Sequence, residues 1–296
     1  MDSISQFLAE CAVQRRASTH TISAYRRDLG LLTKLGEDSN PEALTPAQLQ
    51  RALMQMHSKN LAPRSIARTL SAWRSFYGWL ARKERISTNP ALTLRAPRRP
   101  YLLPKALGVD QTAALLDAPQ GMRTNDPLEL RDTAMFELFY SSGLRLAELV
   151  SLNWPGGLDL ETGEVTVTGK RNKTRIVPVG ERALAALGEW IAVRSAMVKP
   201  DENALFISHR GTRLTPRQVQ TRLAQWAQKS GLGMHVHPHM LRHSFASHVL
   251  QSSGDLRAVQ DMLGHASIAA TQVYTHLDFQ HLAKIYDSAH PRAKKL

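Results

Sequence analysis

Apolar residues in the first third of the chain recur at three- and four-residue intervals, the spacing of helix faces. Between Ser3 and Arg16 that face carries Ile4, Phe7, Leu8 and Cys11. A second helix is predicted from an N-cap at Thr19 or Thr21, through ISAYRRDLGLLTKL to Gly36. A third starts at TPAQ, where Pro46 suits the first helical position. The fourth covers PRSIARTLSAWRSFYGWLARKERI. Leu70, Trp73, Tyr77 and Leu80 form its apolar face, and Arg64, Arg68 and Arg74 lie largely elsewhere, free to face a partner.

The pattern then breaks. NPALTLRAPRRPYLLPKAL holds Pro90, Pro97, Pro100 and Pro104, which cannot share a continuous helix. With Arg95, Arg98, Arg99 and Lys105 it reads as a basic, extended connection. Beyond Leu107, helical spacing alternates with one β segment, GEVTVTGKRNKTRIVPVG. There Val165 and Val167 alternate with threonines, and Ile176, Val177 and Val179 return after a Gly-Lys-Arg-Asn turn, as in an antiparallel hairpin. Further helices are predicted near 181–198, 215–230, 238–252, 255–263, 267–276 and 279–288. The chain is therefore expected to be mainly α with a small antiparallel β-hairpin. Residues 1–95 would form an N-terminal helical domain, 96–105 a basic proline-rich linker, and 106–296 a second domain ending in a docking helix.

Composition sharpens this picture. With 296 residues and 43% hydrophobic content, the chain can build substantial cores. Its N-terminus lacks the pattern of a secretory signal, and no apolar run approaches a membrane span. Cys11 is the single cysteine, so no intrachain disulfide can form, and a cytoplasmic setting is expected. The net charge of +13 is uneven. Residues 1–105 carry 17 lysines and arginines against 7 acidic residues, and residues 106–296 carry 21 against 18. A basic N-terminal region suggests a polyanionic partner such as nucleic acid, with a solvated charged surface as the bland alternative.

Several polar residues invite chemistry, and each has a bland reading beside it. Arg145 follows the helix-ending Gly143 and could simply pair with Glu148, three residues on. Lys170, with Arg171, Lys173 and Arg175, marks a basic hairpin tip that could touch phosphates, or could hold a lysine as a proton donor. In HVHPHMLRHSFASHVL, Leu241, Phe245 and Val249 form a buried stripe, while His239, Arg242 and the small Ala246 share another face. A histidine and an arginine so placed can grip one phosphate and move a proton. The crowd of His235, His237, His239, His243 and His248 also suggests zinc, but cysteine partners and an HExxH helix are missing. Finally, LGHASIAATQVYTHLD places Tyr274 nine residues after His265. A lone phenol, with a pKa of about 10, is a poor nucleophile at neutral pH and needs a proton acceptor and a charge-neutralised phosphate. Two arginines, a lysine and two histidines supply both.

Taken in order, SGLRLAEL, GKRNKTRIVP, HPHMLRHSFASH, LGHASIAATQVYTH and LDFQHLAKIYDSAHPRAKK resemble the tyrosine recombinase family, of the Xer type, over almost the whole chain. The resemblance implies a two-domain clamp around double-stranded DNA. In it Arg145 and Arg242 would hold the scissile phosphate, and Lys170 would be the general acid to the leaving oxygen. His239 would assist proton transfer, His265 would hydrogen-bond the phosphate, and Tyr274 would be the nucleophile that forms a 3′-phosphotyrosine. No cofactor or metal is implied. The implied partners are a related D-type recombinase in a heterotetramer and a DNA-translocating division protein, and the tail helix would pack into a neighbouring subunit, although its residues by themselves allow docking on its own domain or on a neighbour's. Two stretches depart from the pattern: Arg171 stands where relatives usually have glycine, and Pro-Gly-Gly at 155–157 replaces an acidic pair. The residues also leave room for a mobile-element integrase, a DNA-binding regulator without catalysis, or a zinc hydrolase.

Overall fold

The computed structural model describes residues 2–15, 17–35, 40–97, 106–117, 126–169, 173–264 and 284–293. Two compact units, Met1–Leu102 and Leu103–Leu296, divide the chain.

The first unit holds helices α1 (Ser3–Val13), α2 (Thr19–Leu29), α3 (Pro46–Ser58) and α4 (Pro63–Arg82). Their starts are written in side chains. Asp2 accepts from the Ser5 N–H, Ser18 from that of Thr21, and Thr45 with Gln48 closes a reciprocal capping box before Pro46. The cap of α2 is thus Ser18, one residue before the expected Thr19. This helix also stops at Leu29 rather than Gly36. Gly30 weakens the helix, and a short 3-10 turn at Leu32–Lys34 lets Leu29 and Leu32 both enter the core. Phe7, Leu70, Trp73, Phe76, Tyr77 and Leu80 fill that core. Two arginines expected to be free have partners. Arg68 donates twice to the buried Asp28, at 2.9 Å each, and the side chain of Arg74 reaches the carbonyls of Ala91 and Leu94. Arg64 is exposed. Arg98, Arg99 and Lys105 of the predicted linker lie outside the described residues.

In the second unit, α5 (Val109–Leu116), α6 (Pro127–Ser142) and α7 (Leu146–Ser151) precede a three-stranded antiparallel sheet. Its strands are β1 (Leu158–Asp159), β2 (Glu164–Thr168) and β3 (Thr174–Pro178), in the order β1-β2-β3. Helices α8 (Glu181–Arg194), α9 (Pro216–Lys229), α10 (Pro238–Ser253) and α11 (Leu256–Leu263) follow, and a last helix, α12, covers 284–289. Helix α6 lies at the centre, buried along most of its length against α8 and α10. In the hairpin Val165 pairs with Val177 and Val167 with Arg175, so Arg175 occupies an inward position of β3. That corrects its expected place at the basic tip. Strand side chains alternate, and Arg175 shares the buried face of Val177 while Ile176 points outward. Among the described residues, no helix is long and apolar enough to cross a membrane.

Of the predicted tail helix at 279–288, residues 284–288 are described, and residues 284–293 pack on their own unit. Tyr286, Ala289, His290, Arg292 and Ala293 are buried, Arg292 pairs with Glu137 and Asp117, and the Glu181 N–H donates to the Ala293 carbonyl at 2.9 Å. The predicted helix at 267–276 lies outside the described residues.

Candidate active site

The end of α11 organises the site. A helix leaves its last carbonyls without intrahelical donors, and they carry the negative end of the helix dipole. Gly264, in the left-handed region at φ +61°, caps α11 by donating its N–H back to the carbonyls of Gln260 and Asp261. The next three carbonyls each receive a different arginine. Arg175 Nε donates to Met262 O at 2.9 Å, Arg242 Nη2 to Leu263 O at 2.6 Å, and Arg145 Nη2 to Gly264 O at 2.9 Å. Three guanidinium groups distant in sequence are thereby gathered around one helix terminus.

Each arginine arrives on a defined support. Helix α6 ends at Gly143 in the left-handed conformation, where an added Cβ would lie 2.3 Å from the Phe245 ring. The Gly143 carbonyl accepts from Arg242 Nη1. Arg145 is the N-cap of α7. Its backbone N–H donates to Glu148 Oε2 and its Nη1 to Glu148 Oε1, both at 2.8 Å. The bland pairing of Arg145 with Glu148 is therefore present, with the guanidinium still about a third exposed. Arg242 lies on α10 one turn after His239, half-buried beside the stripe of Leu241, Phe245 and Val249.

One carboxylate serves this cluster. Burial, the largest single influence on Glu148, raises its pKa, but the hydrogen bonds from Arg175 and Arg145 together outweigh it and hold the group at about 2. Arg242 is lowered to about 10, first by burial and then by the like charge of Arg145. It stays protonated at neutral pH and would gain from an anion arriving beside it.

Of the six predicted site residues, Arg145, Arg242 and His239 are described. The first two are joined through the end of α11, and His239 is exposed on α10. Lys170, His265 and Tyr274 lie outside the described residues. Their chain neighbours carry information nevertheless. A Cβ on Gly169 would sit 3.2 Å from Glu148 Oε1 and 3.5 Å from Arg145 Nη1, and the Gly169 N–H donates to Lys173 O at 2.7 Å. Residues 169 and 264, immediately before Lys170 and His265, thus both lie against Arg145.

Sequence reasoning missed two members of the cluster, Glu148 as its shared carboxylate and Arg175 as its buried third guanidinium. The signal for Arg175 was its even spacing from Val177. The histidine crowd, in contrast, does not converge. His248 is buried with Nδ1 2.8 Å from the Tyr140 hydroxyl, while His235, His237 and His239 line the surface with neighbouring rings 6.4 Å apart. Among the described residues no group of histidine, cysteine, aspartate and glutamate side chains is arranged to hold a metal ion.

Comparison with known proteins agrees with this architecture. Residues 105–281 match the pattern of the phage integrase family, and residues 4–84 that of the phage integrase N-terminal SAM-like domain. The chain belongs to the phage integrase family and is a tyrosine recombinase, an enzyme of DNA strand cleavage and transfer. It is 52% identical over 294 residues to the tyrosine recombinase XerC of Chromobacterium violaceum, covering 99% of this chain and 96% of that one. It is 51% identical to tyrosine recombinase XerC 1 of Ralstonia nicotianae, covering 99% and 94%. Among solved structures, the XerA recombinase aligns at 29% identity over 98% of both chains with a TM-score of 0.50. XerH bound to palindromic difH in a post-cleavage complex aligns at 22% identity over 96% of this chain and 84% of that one, with a TM-score of 0.69, a likeness of fold.

Proposed function

We propose that the chain is a cytoplasmic site-specific recombinase that resolves chromosome dimers at cell division. It acts with a related D-type recombinase in a heterotetramer on double-stranded DNA, with a DNA-translocating division protein as a further partner. The N-terminal helical domain and the second domain form a clamp on the duplex, joined by the basic linker at 96–105. Arg145 and Arg242 bind the non-bridging oxygens of the scissile phosphate and offset the charge that grows there during attack. Tyr274 attacks phosphorus with His239 assisting removal of its proton, and His265 hydrogen-bonds the phosphate. Lys170 protonates the departing 5′ oxygen. The products are a 3′-phosphotyrosine and a free 5′ hydroxyl. The bond energy is conserved in the ester, so the cycle needs no nucleotide or metal.

One observation carries this reading: Arg145 and Arg242 converge on the end of α11, where Gly264, the residue before His265, accepts from Arg145, and Gly169, the residue before Lys170, has its Cβ direction facing Arg145. The name shared by relatives about half identical over nearly their full length supports the housekeeping role over that of a mobile-element integrase.

The test is a covalent trap. Wild type and Tyr274→Phe are mixed with a nicked duplex bearing the host's candidate resolution site, with the D-type partner present. Wild type should become joined to DNA through Tyr274, and the variant should bind without joining. Tight, specific binding without any link in wild type would replace the recombinase with a DNA-binding regulator.

A further inference from the structure

Arg175 plays no part in the reaction as set out above, yet it is the most completely engaged of the three guanidinium groups. Its side chain is 6% exposed, on the inward face of β3. All three nitrogens have partners: Nε donates to Met262 O, and Nη1 and Nη2 to the two oxygens of Glu148 at 2.8 and 2.9 Å. So enclosed, it is spent on protein groups rather than offered to DNA.

The acceptor count on Glu148 shows what this does. An ionised carboxylate has about four lone-pair sites. Oε1 receives Nη1 of both Arg145 and Arg175, and Oε2 receives the Arg145 N–H and Nη2 of Arg175. Glu148 is thereby saturated, and the Arg145 side chain obtains a single bond from it. Take Arg175 away and two acceptor sites open on a buried, charged carboxylate. Arg145 is the guanidinium already in contact with it, and the two-pronged arginine–carboxylate geometry is the strongest pairing available. Arg145 would rotate to supply the second prong, turning inward the edge that a phosphate needs.

We propose that Arg175 is a positioning residue for Arg145: by occupying both oxygens of Glu148 and tying β3 to the Met262 carbonyl, it keeps Arg145 aimed at a bound phosphate. The inference rests on the reading of Arg145 as a phosphate-binding arginine. In the step concerned, the Tyr274 oxygen bonds to phosphorus and the bond from phosphorus to the 5′ oxygen breaks. The phenol proton passes to the base, and the leaving oxygen takes a proton from Lys170. Arg145 offsets the charge on the non-bridging oxygens. A residue that acts only through Arg145 should therefore matter when those oxygens are charged and matter little when one is replaced by a methyl group.

Arg175→Lys keeps the positive charge but loses the fork and the reach to Met262. Cleavage by the full chain with its D-type partner is measured on two nicked duplexes, one with a normal scissile phosphate and one with a methylphosphonate there. Arg145→Ala runs in parallel. For Arg175→Lys we expect cleavage of the normal substrate to fall about 30-fold or more, with DNA affinity within about 3-fold of wild type and the methylphosphonate cut within about 3-fold. Equal losses on both substrates, or no loss on the normal one, overturn the proposal while Arg145→Ala still shows the selective pattern. If Arg145→Ala cuts the normal phosphate as fast as wild type, the reading of Arg145 itself fails and takes this inference with it. Should thermal unfolding show that Arg175→Lys does not fold, Glu148→Gln with Arg175→Met removes both buried charges together, a change that cores often tolerate. With the carboxylate gone nothing draws Arg145 inward, so that pair should cut both substrates within about 3-fold of wild type, and a larger loss on the normal phosphate refutes the proposal.

Discussion

At Gly143 a single missing side chain sets the geometry of Arg242. The residue ends α6 with φ +54°, its carbonyl accepts from Arg242, and the space where a Cβ would stand is filled by the Phe245 ring. Gly143→Ala should destabilise the protein by roughly 2–4 kcal/mol, from left-handed strain together with the steric clash, and lower the melting temperature. Cleavage should fall further than stability alone explains, because the carbonyl that steadies Arg242 moves; unchanged melting would contradict this account. Much at this scale was legible in the sequence. The Gly143 helix end, the Arg145 start and the shared face of His239 and Arg242 all follow from capping and helical spacing. Glu148 was legible as a partner of Arg145, three residues away. Arg175 was not read correctly, because charge was allowed to outweigh alternation: Thr174, Arg175, Ile176 and Val177 place the arginine inside by parity. Its carboxylate lies 27 residues upstream and its carbonyl 87 downstream, contacts that no local pattern encodes.

Among the elements, α12 and the residues after it show how a short segment is fastened. The Tyr286 hydroxyl meets Ser141 Oγ at 2.5 Å, and Arg292 joins Glu137 and Asp117. His290 stacks on Tyr286 at 4.7 Å and sits 4.8 Å from the Tyr140 ring. The helix predicted near 279–288 announced a docking element; which surface receives its described part depends on distant Ser141 and Glu137 and could not be read locally. Burial pushes His290 down to about 3, against the opposing influence of the Tyr140 carbonyl. An unfolded histidine takes its proton at about pH 6.5. Below that pH the unfolded chain binds a proton that the folded one refuses, so the contribution is complete above about 6.5 and is lost as pH falls toward 3. Melting temperature measured from pH 7 to pH 4 should drop less steeply in His290→Phe, which keeps the ring packing without the titration. Parallel curves for wild type and variant would remove His290 from the acid sensitivity of the fold. Glu148, held at about 2, loses its contribution as pH falls from about 4.5 through 2, so some acid slope must remain in the variant.

For the molecule as a whole, the uneven charge matters most. The first 105 residues carry a surplus of ten positive charges, and the remainder carries three. On the proposed clamp reading, binding to duplex DNA should weaken at least about 100-fold between 50 and 200 mM salt, because several phosphate contacts release counterions. A flat response in a filter-binding or anisotropy titration would argue against a clamp. The helical character of both units and the hairpin were visible as periodicity, whereas the gathering of three arginines on one helix end was not, since it joins segments that periodicity treats separately. That gathering has a consequence for how the protein is made. Arg145, Arg175 and Arg242 stand 119, 87 and 21 residues ahead of the carbonyls that receive them. During synthesis the basic N-terminal helices can fold as soon as they emerge, but the arginines must wait for the end of α11. A growing chain therefore acquires its electrostatic attraction for nucleic acid well before it acquires an ordered centre for cutting it.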